Sequence, residues 1–326
     1  MMCLICFSEK KCMKKLTLSR TDSLTFGEGC EKYLDNCRQR NLRKGTINHY
    51  RQSYTQFFKY FDPDMPVAEF DKDMYDDFVR HLQGILCNDV SINSYLRDLI
   101  TTMHFLMGEG EVKRFKMTAI QTDKSSIKTY TDDELTRLLQ KPNIHKSSFT
   151  EYQCWVMTNF LFSTGVRQRT LMHIQIKDLD FDNHFVTFTV TKNRKPLIVP
   201  MNATLVNILK DFLKYRQYKS LDDWLFCNVY GQQLVKSTCY HMLYEYNKRR
   251  GVSTTGIHRY RHTFAKQWIL SGGNVVTLSR LLGHSSLDIT QNYINLLVSD
   301  LSTQVDEINL LDKFSTKKRI NLQARR

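Results

Sequence analysis

Between Phe26 and Leu106 the apolar side chains recur at steps of three and four in four successive runs. That spacing admits little besides helices that each bury one face. The first run is Phe26, Cys30, Tyr33, Leu34 and Cys37, closed by NLRKGT at 41–46. The second is Ile47, Tyr50, Tyr54, Phe57, Phe58 and Phe61, stopped by PDMP at 63–66. The third holds Met74, Phe78, Leu82 and Ile85. The fourth starts near Ser91, carries Ile92, Tyr95, Leu96, Leu99, Met103 and Leu106, and ends at Gly108. Four such helices with short connections make a small bundle over residues 23–108.

The rest of the chain divides around that bundle. Residues 1–22 have no helical period and are expected to form a disordered basic N-terminus. Met13-Lys-Lys-Leu reads as an ordinary chain start, which leaves open whether residues 1–12 are native; N-terminal mass spectrometry settles it. Residues 109–130 are polar and weakly periodic and are expected to be an interdomain linker. A capping box, Thr131 to Glu134, opens the second domain, expected over 131–312. There YQCWVMTNFLFSTG (152–165), TLVNILKDFLKYRQ (204–217) and TCYHMLYEYNKRRG (238–251) read as helices. HFVTFTVTK (184–192), NRK and PLIVPM (196–201) read as one β-hairpin. The expected fold class is mainly α, with a small antiparallel hairpin sheet in the second domain. Val298, Leu301, Val305, Ile308 and Leu311 predict a terminal helix whose apolar stripe seeks a partner surface, ahead of a basic tail at 313–326.

Forty-seven Lys and Arg against 33 Asp and Glu leave a net charge of +14, which favours a polyanion partner. No apolar run approaches the ~18 residues of a membrane helix, and no lipidation motif or basic amphipathic helix is present, so nucleic acid is preferred to a membrane surface. A cytoplasmic, nucleoid-associated location is expected. The nine cysteines are odd in number and lack framework spacing, so they read as reduced thiols. Cys3 and Cys6 have no second pair nearby, and no metal site is assigned.

The stretch from Gly256 to Asn295 concentrates chemistry. His258-Arg-Tyr-Arg261-His-Thr-Phe-Ala265 places an imidazole and a guanidinium three apart, on one helix face. SGG at 271–273 breaks that helix, VVTLSRLL (275–282) starts another, and Leu282-Gly-His284 leads through Thr290 to Tyr293. A single buried His or helical Tyr is usually core; the combination is what informs. These spacings resemble the second motif block of the tyrosine recombinase (phage integrase) family. That family's first block is matched by Thr164-Gly-Val-Arg167, and its hairpin lysine by Lys192, with Lys195 reading as an ordinary tip charge. One departure stands out: an acidic residue usual three positions after the first arginine is Thr170 here. That acid is expected to buttress the active site.

The resemblance implies a SAM-like core-binding bundle, a catalytic domain, and a six-residue site: Arg167, Lys192, His258, Arg261, His284 and the nucleophile Tyr293. It implies metal- and ATP-free phosphoryl transfer through a 3′-phosphotyrosine, with no cofactor. Two always-charged guanidiniums suit a phosphate whose charge grows in the transition state. A phenol of pKa ~10 needs help to attack. The resemblance also implies double-stranded DNA as partner, a tetramer on paired sites with the terminal helix docked in trans, and a possible directionality factor. Candidate phosphate contacts are Arg43, Lys44, Arg51 and Arg97 in the bundle and Lys248, Arg249 and Arg250 in the catalytic domain; each reads equally well as a solvated charge. Integration and excision of a mobile element is favoured over Xer-type dimer resolution. A DNA-binding protein that has lost catalysis and a type IB topoisomerase-like enzyme are the rival readings.

Overall fold

In the computed structural model the described residues are 23–122, 127–253, 256–284, 286 and 290. The chain divides into two compact units at Lys124 and Ser125. The first contains α1 (Phe26–Gln39), α2 (Lys44–Phe57), α3 (Lys72–Ile85) and α4 (Asp89–Gly108). Each start has a local cause. Thr25 and Glu28 form a reciprocal capping box on α1, Asp71 caps α3 through the Met74 N–H, and Asn88 caps α4. Helix α2 stops at Phe57, short of the full second run, but Phe61 still turns back into the core. That core is aromatic: Phe26 packs against Phe58, Phe61 and Phe70, and Phe57 meets Phe78 edge-on. In α3 the buried face is Tyr75, Phe78 and Leu82, while Ile85 is exposed.

Much of the segment expected to be a linker belongs to this unit. Val112 and Met117 are buried in the bundle core. Asn93 exchanges two hydrogen bonds with the backbone of Ile120, and the Tyr75 hydroxyl donates to the Thr118 carbonyl. A polar segment laid across a helix bundle shows little periodicity of its own, so composition did not reveal the docking.

The second unit is helical around a small sheet. Its elements are α5 (Asp132–Leu139), α6 (Phe149–Thr164), α7 (Gln168–Leu171), β1 (Leu179–Asp180), β2 (Phe185–Phe188), β3 (Leu197–Pro200), α8 (Ala203–Tyr215), α9 (Lys236–Arg249), α10 (Ile257–Leu270) and α11 (Val275–Leu282). Thr131 and Glu134 make the capping box expected for α5. Helix α6 is buried on nearly every side, between α10, α8 and α9, which is why its sequence is apolar all round. The sheet runs in the order β1-β2-β3, antiparallel throughout, with Phe188 opposite Leu197 at the last pair. The strands are shorter than the alternation suggested: beyond Phe188 the chain leaves the ladder and returns at Leu197. No helix among the described residues is long and apolar enough to cross a membrane.

Candidate active site

The site begins where α6 ends. Gly165 takes a left-handed conformation (φ 61°) and its N–H bonds the Leu161 carbonyl. A Cβ there would lie 2.6 Å from both Leu282 and Phe264, so the turn admits nothing larger. The Gly165 carbonyl accepts a 2.9 Å hydrogen bond from Nη1 of Arg261, which α10 carries inward until only 5% of it is exposed. Nη2 of Arg261 donates to the Leu282 carbonyl, also at 2.9 Å. Nη1 of Arg167, the residue that opens α7, reaches the same oxygen at 3.5 Å. One peptide oxygen therefore stands between two guanidiniums that are 94 residues apart in sequence.

Beyond that carbonyl, Gly283 turns left-handed (φ 60°) to end α11. The next residue, His284, is held by its N–H on the Ser279 carbonyl and by Nδ1, 2.7 Å from the Thr290 hydroxyl. Arg167, Thr170, Lys195, Arg261 and His284 share the wall of a cavity of about 180 Å³ with no Asp or Glu among the described residues that line it. The field inside is positive. Burial, then Arg261 and Arg167, push the His284 imidazole down to about 4. The same causes with Lys236 lower His258, which projects from the first turn of α10. His262 falls to about 4 through burial, His258 and Arg261. Neutral imidazoles beside two fixed cations make a place where an anion is stabilised and a proton can be taken up.

Of the six expected residues, Arg167, Arg261 and His284 line the cavity, and His258 adjoins it electrostatically. Lys192 is exposed on the excursion between β2 and β3, while Lys195 lines the cavity. The Thr191 hydroxyl donates to the Lys195 carbonyl, closing the hairpin tip. Tyr293 lies outside the described residues. Sequence reasoning did not single out Asn193, whose amide reaches the Gly283 carbonyl at 3.4 Å, nor the link from His284 to Thr290.

Among the candidate DNA contacts, Lys44, Arg51, Arg97, Lys248 and Arg249 are exposed, and Arg43 is partly so at the start of α2. Arg250 is already engaged within its own unit. Its Nη1 donates to the carbonyls of Arg137 and Gln140 at 3.0 and 2.8 Å, and its guanidinium lies 4.6 Å from the Tyr246 ring. It fastens the end of α9 to the end of α5. A basic run in sequence cannot show which of its charges is also bound by neighbouring carbonyls.

Residues 128–299 match the model of the phage integrase family, and residues 25–114 match that of the phage integrase SAM-like domain. The chain is 26% identical over 270 residues to tyrosine recombinase XerD of Listeria innocua, covering 79% of this chain and 90% of the relative. It is 28% identical over 242 residues to tyrosine recombinase XerA of Pyrococcus furiosus, covering 72% of this chain and 81% of the relative. Its fold is similar to that of the XerH site-specific recombinase bound to palindromic difH substrate in a post-cleavage complex, with TM-score 0.68, 20% identity, and 88% and 85% of the two chains covered. It is also similar to the Tn1549 transposon integrase in complex with circular intermediate DNA, with TM-score 0.66, 20% identity, and 83% and 95% covered.

Proposed function

The chain belongs to the phage integrase family, the tyrosine recombinases, whose members catalyse DNA cleavage and rejoining; from that premise we propose that it recombines double-stranded DNA at specific sites to integrate and excise a mobile element. The observation that carries the reading is the convergence of Arg167 and Arg261 on the Leu282 carbonyl, beside His284 and at the wall of one cavity. Tyr293 attacks the scissile phosphate, forming a 3′-phosphotyrosine and releasing a 5′-hydroxyl. The two guanidiniums hold the non-bridging oxygens as their charge grows. His258 takes the tyrosine proton, His284 hydrogen-bonds a phosphate oxygen, and Lys192 gives a proton to the leaving 5′-oxygen. The covalent link conserves the energy of the phosphodiester, so another strand's 5′-hydroxyl can reverse the step without a cofactor.

Lys192 must swing towards the cavity on its hairpin, and Lys195 is its competitor for the acid role. Lys44, Arg51, Arg97, Lys248 and Arg249 would track the phosphates. Four protomers would assemble on paired sites. A groove of about 530 Å³ beside Phe264, Trp268 and Leu281 offers an apolar seat for the stripe Val298, Leu301, Val305, Ile308 and Leu311 of a neighbour, which lies outside the described residues. Xer-type dimer resolution is the second reading, favoured by the XerD and XerA relatives. Recovery of a circular element and its rejoined flanks on expression supports the mobile-element role; monomerisation of plasmid dimers instead supports the second.

The decisive experiment uses a nicked suicide duplex carrying the site, incubated with protein and EDTA and run on a denaturing gel. A covalent protein–DNA band that Tyr293→Phe abolishes is expected. No band on a site that the protein binds would overturn the proposal.

A further inference from the structure

The excursion that carries Lys192 hangs outside the sheet. Pairing ends at Phe188 opposite Leu197, so residues 189–196 have no ladder to fix them. Their near side is tied to the body of the unit through α7. The Thr170 hydroxyl, on α7 just after Arg167, donates a 2.9 Å hydrogen bond to the carbonyl of Val190, two residues before Lys192. Thr170 is 7% exposed and lines the cavity. On the far side Asn193 reaches the Gly283 carbonyl at 3.4 Å, a longer and more exposed contact.

Thr170 also stands where the resembled family usually has an acid. A carboxylate there would present acceptors to the Val190 carbonyl, itself an acceptor; a hydroxyl has a proton to give. The departure therefore carries a bond of its own rather than a gap.

We propose that Thr170 is a positioning residue, holding through the Val190 carbonyl the hairpin turn that presents Lys192 to the departing 5′-oxygen. The proposal rests on the reading of Lys192 as general acid. In that step the bond from the Tyr293 oxygen to phosphorus forms and the bond from phosphorus to O5′ breaks. The tyrosine proton passes to His258, and the Lys192 ammonium gives its proton to O5′, leaving a 5′-hydroxyl. Nothing is oxidised or reduced. A donor displaced by about 1 Å transfers its proton far less often, on the order of 10- to 100-fold.

The test compares two suicide substrates, one with the natural bridging oxygen and one with sulfur at the 5′-bridging position. Sulfur leaves as a thiolate and needs no proton. Covalent-complex formation is measured in single turnover for the wild type, Thr170→Val, Thr170→Ser and Lys192→Ala. Thr170→Val keeps the shape and deletes the donor; Thr170→Ser keeps the donor. The expected result is a fall of roughly 10-fold or more for Thr170→Val on oxygen, near-wild-type rates on sulfur, and a nearly normal Thr170→Ser. Equal slowing on both substrates would show that Thr170 serves the phosphate clamp or the fold, and overturns the proposal. So does an undiminished rate on oxygen. If Lys192→Ala is slowed but sulfur does not relieve it, Lys192 is not the acid, and the proposal falls with that reading. If sulfur relieves Lys192→Ala but not Thr170→Val, the positioning role alone fails.

Discussion

Replacing Gly165 with alanine tests whether the main-chain turn at the end of α6 sets the geometry of Arg261. An L-residue at φ 61° costs about 1–2 kcal/mol. The new methyl would sit 2.6 Å from the buried Leu282 and the half-buried Phe264, and overpacking of that kind costs about 1–3 kcal/mol. The smaller entropy of the unfolded alanine chain returns less than about 1 kcal/mol. The net loss is roughly 2–4 kcal/mol, which at a slope of about 2 kcal/mol per molar of urea lowers the unfolding midpoint by about 1–2 M. A domain stable by about 5–15 kcal/mol survives this and stays folded in buffer. Chemistry should suffer separately. The methyl presses on Leu282, whose carbonyl anchors Arg261, while the Gly165 carbonyl is the other anchor. A displacement of about 1 Å at the clamp slows covalent-complex formation by on the order of 100-fold. Urea unfolding and single-turnover cleavage, both at low temperature, measure the two effects independently. A midpoint within about 0.3 M of wild type together with an unchanged cleavage rate would refute the reasoning.

Other substitutions probe the remaining parts. Tyr293→Phe should bind its site with unchanged affinity, by gel shift, yet form no covalent complex. Arg261→Lys should lose roughly 100-fold or more in cleavage, because one ammonium cannot hold both carbonyls and fork onto a phosphate; a rate within a few-fold of wild type contradicts the clamp. Lys192→Ala should slow cleavage of the oxygen substrate far more than Lys195→Ala, and the reverse order would move the acid role to the residue that lines the cavity. The depressed imidazoles give the free protein a pH dependence. His262 and His284 bind protons less readily folded (about 4) than unfolded (about 6.5), so their contribution is fully present above pH ~6.5 and is lost as pH falls towards 4. The unfolding midpoint of His262→Gln should therefore fall less steeply than that of wild type over that range; parallel curves count against the buried, neutral imidazole.

Helices were legible because their causes are local. All five members of the Phe26-to-Cys37 run are buried, and Thr131 caps α5 through Glu134 as spacing required. The hairpin was legible in place but not in length: Thr189 to Lys192 alternate as a strand would, yet strand pairing ends at Phe188 opposite Leu197. In the site, the spacing of His258 and Arg261 was readable from helical geometry. What held Arg261 was not, because its partners are carbonyls at 165 and 282, and every residue carries one. For the same reason the hold on Arg250 was invisible: only the fold shows that the carbonyls of Arg137 and Gln140 accept from it.

The carbonyl of Leu282 has a consequence for how this protein can vary. Both guanidiniums take their bearing from an atom that no codon encodes. A scan of side chains would see position 282 only as a packing site and attribute any loss to the core. The anchor itself answers to a different edit: putting an α-hydroxy acid at position 283 turns the amide of Leu282 into an ester, which weakens that oxygen as an acceptor and removes the Gly283 N–H that caps α11 on the Arg280 carbonyl, with every side chain intact. Drift in the neighbouring sequence can thus proceed while the two arginines keep their common reference, so long as α11 ends at the same height.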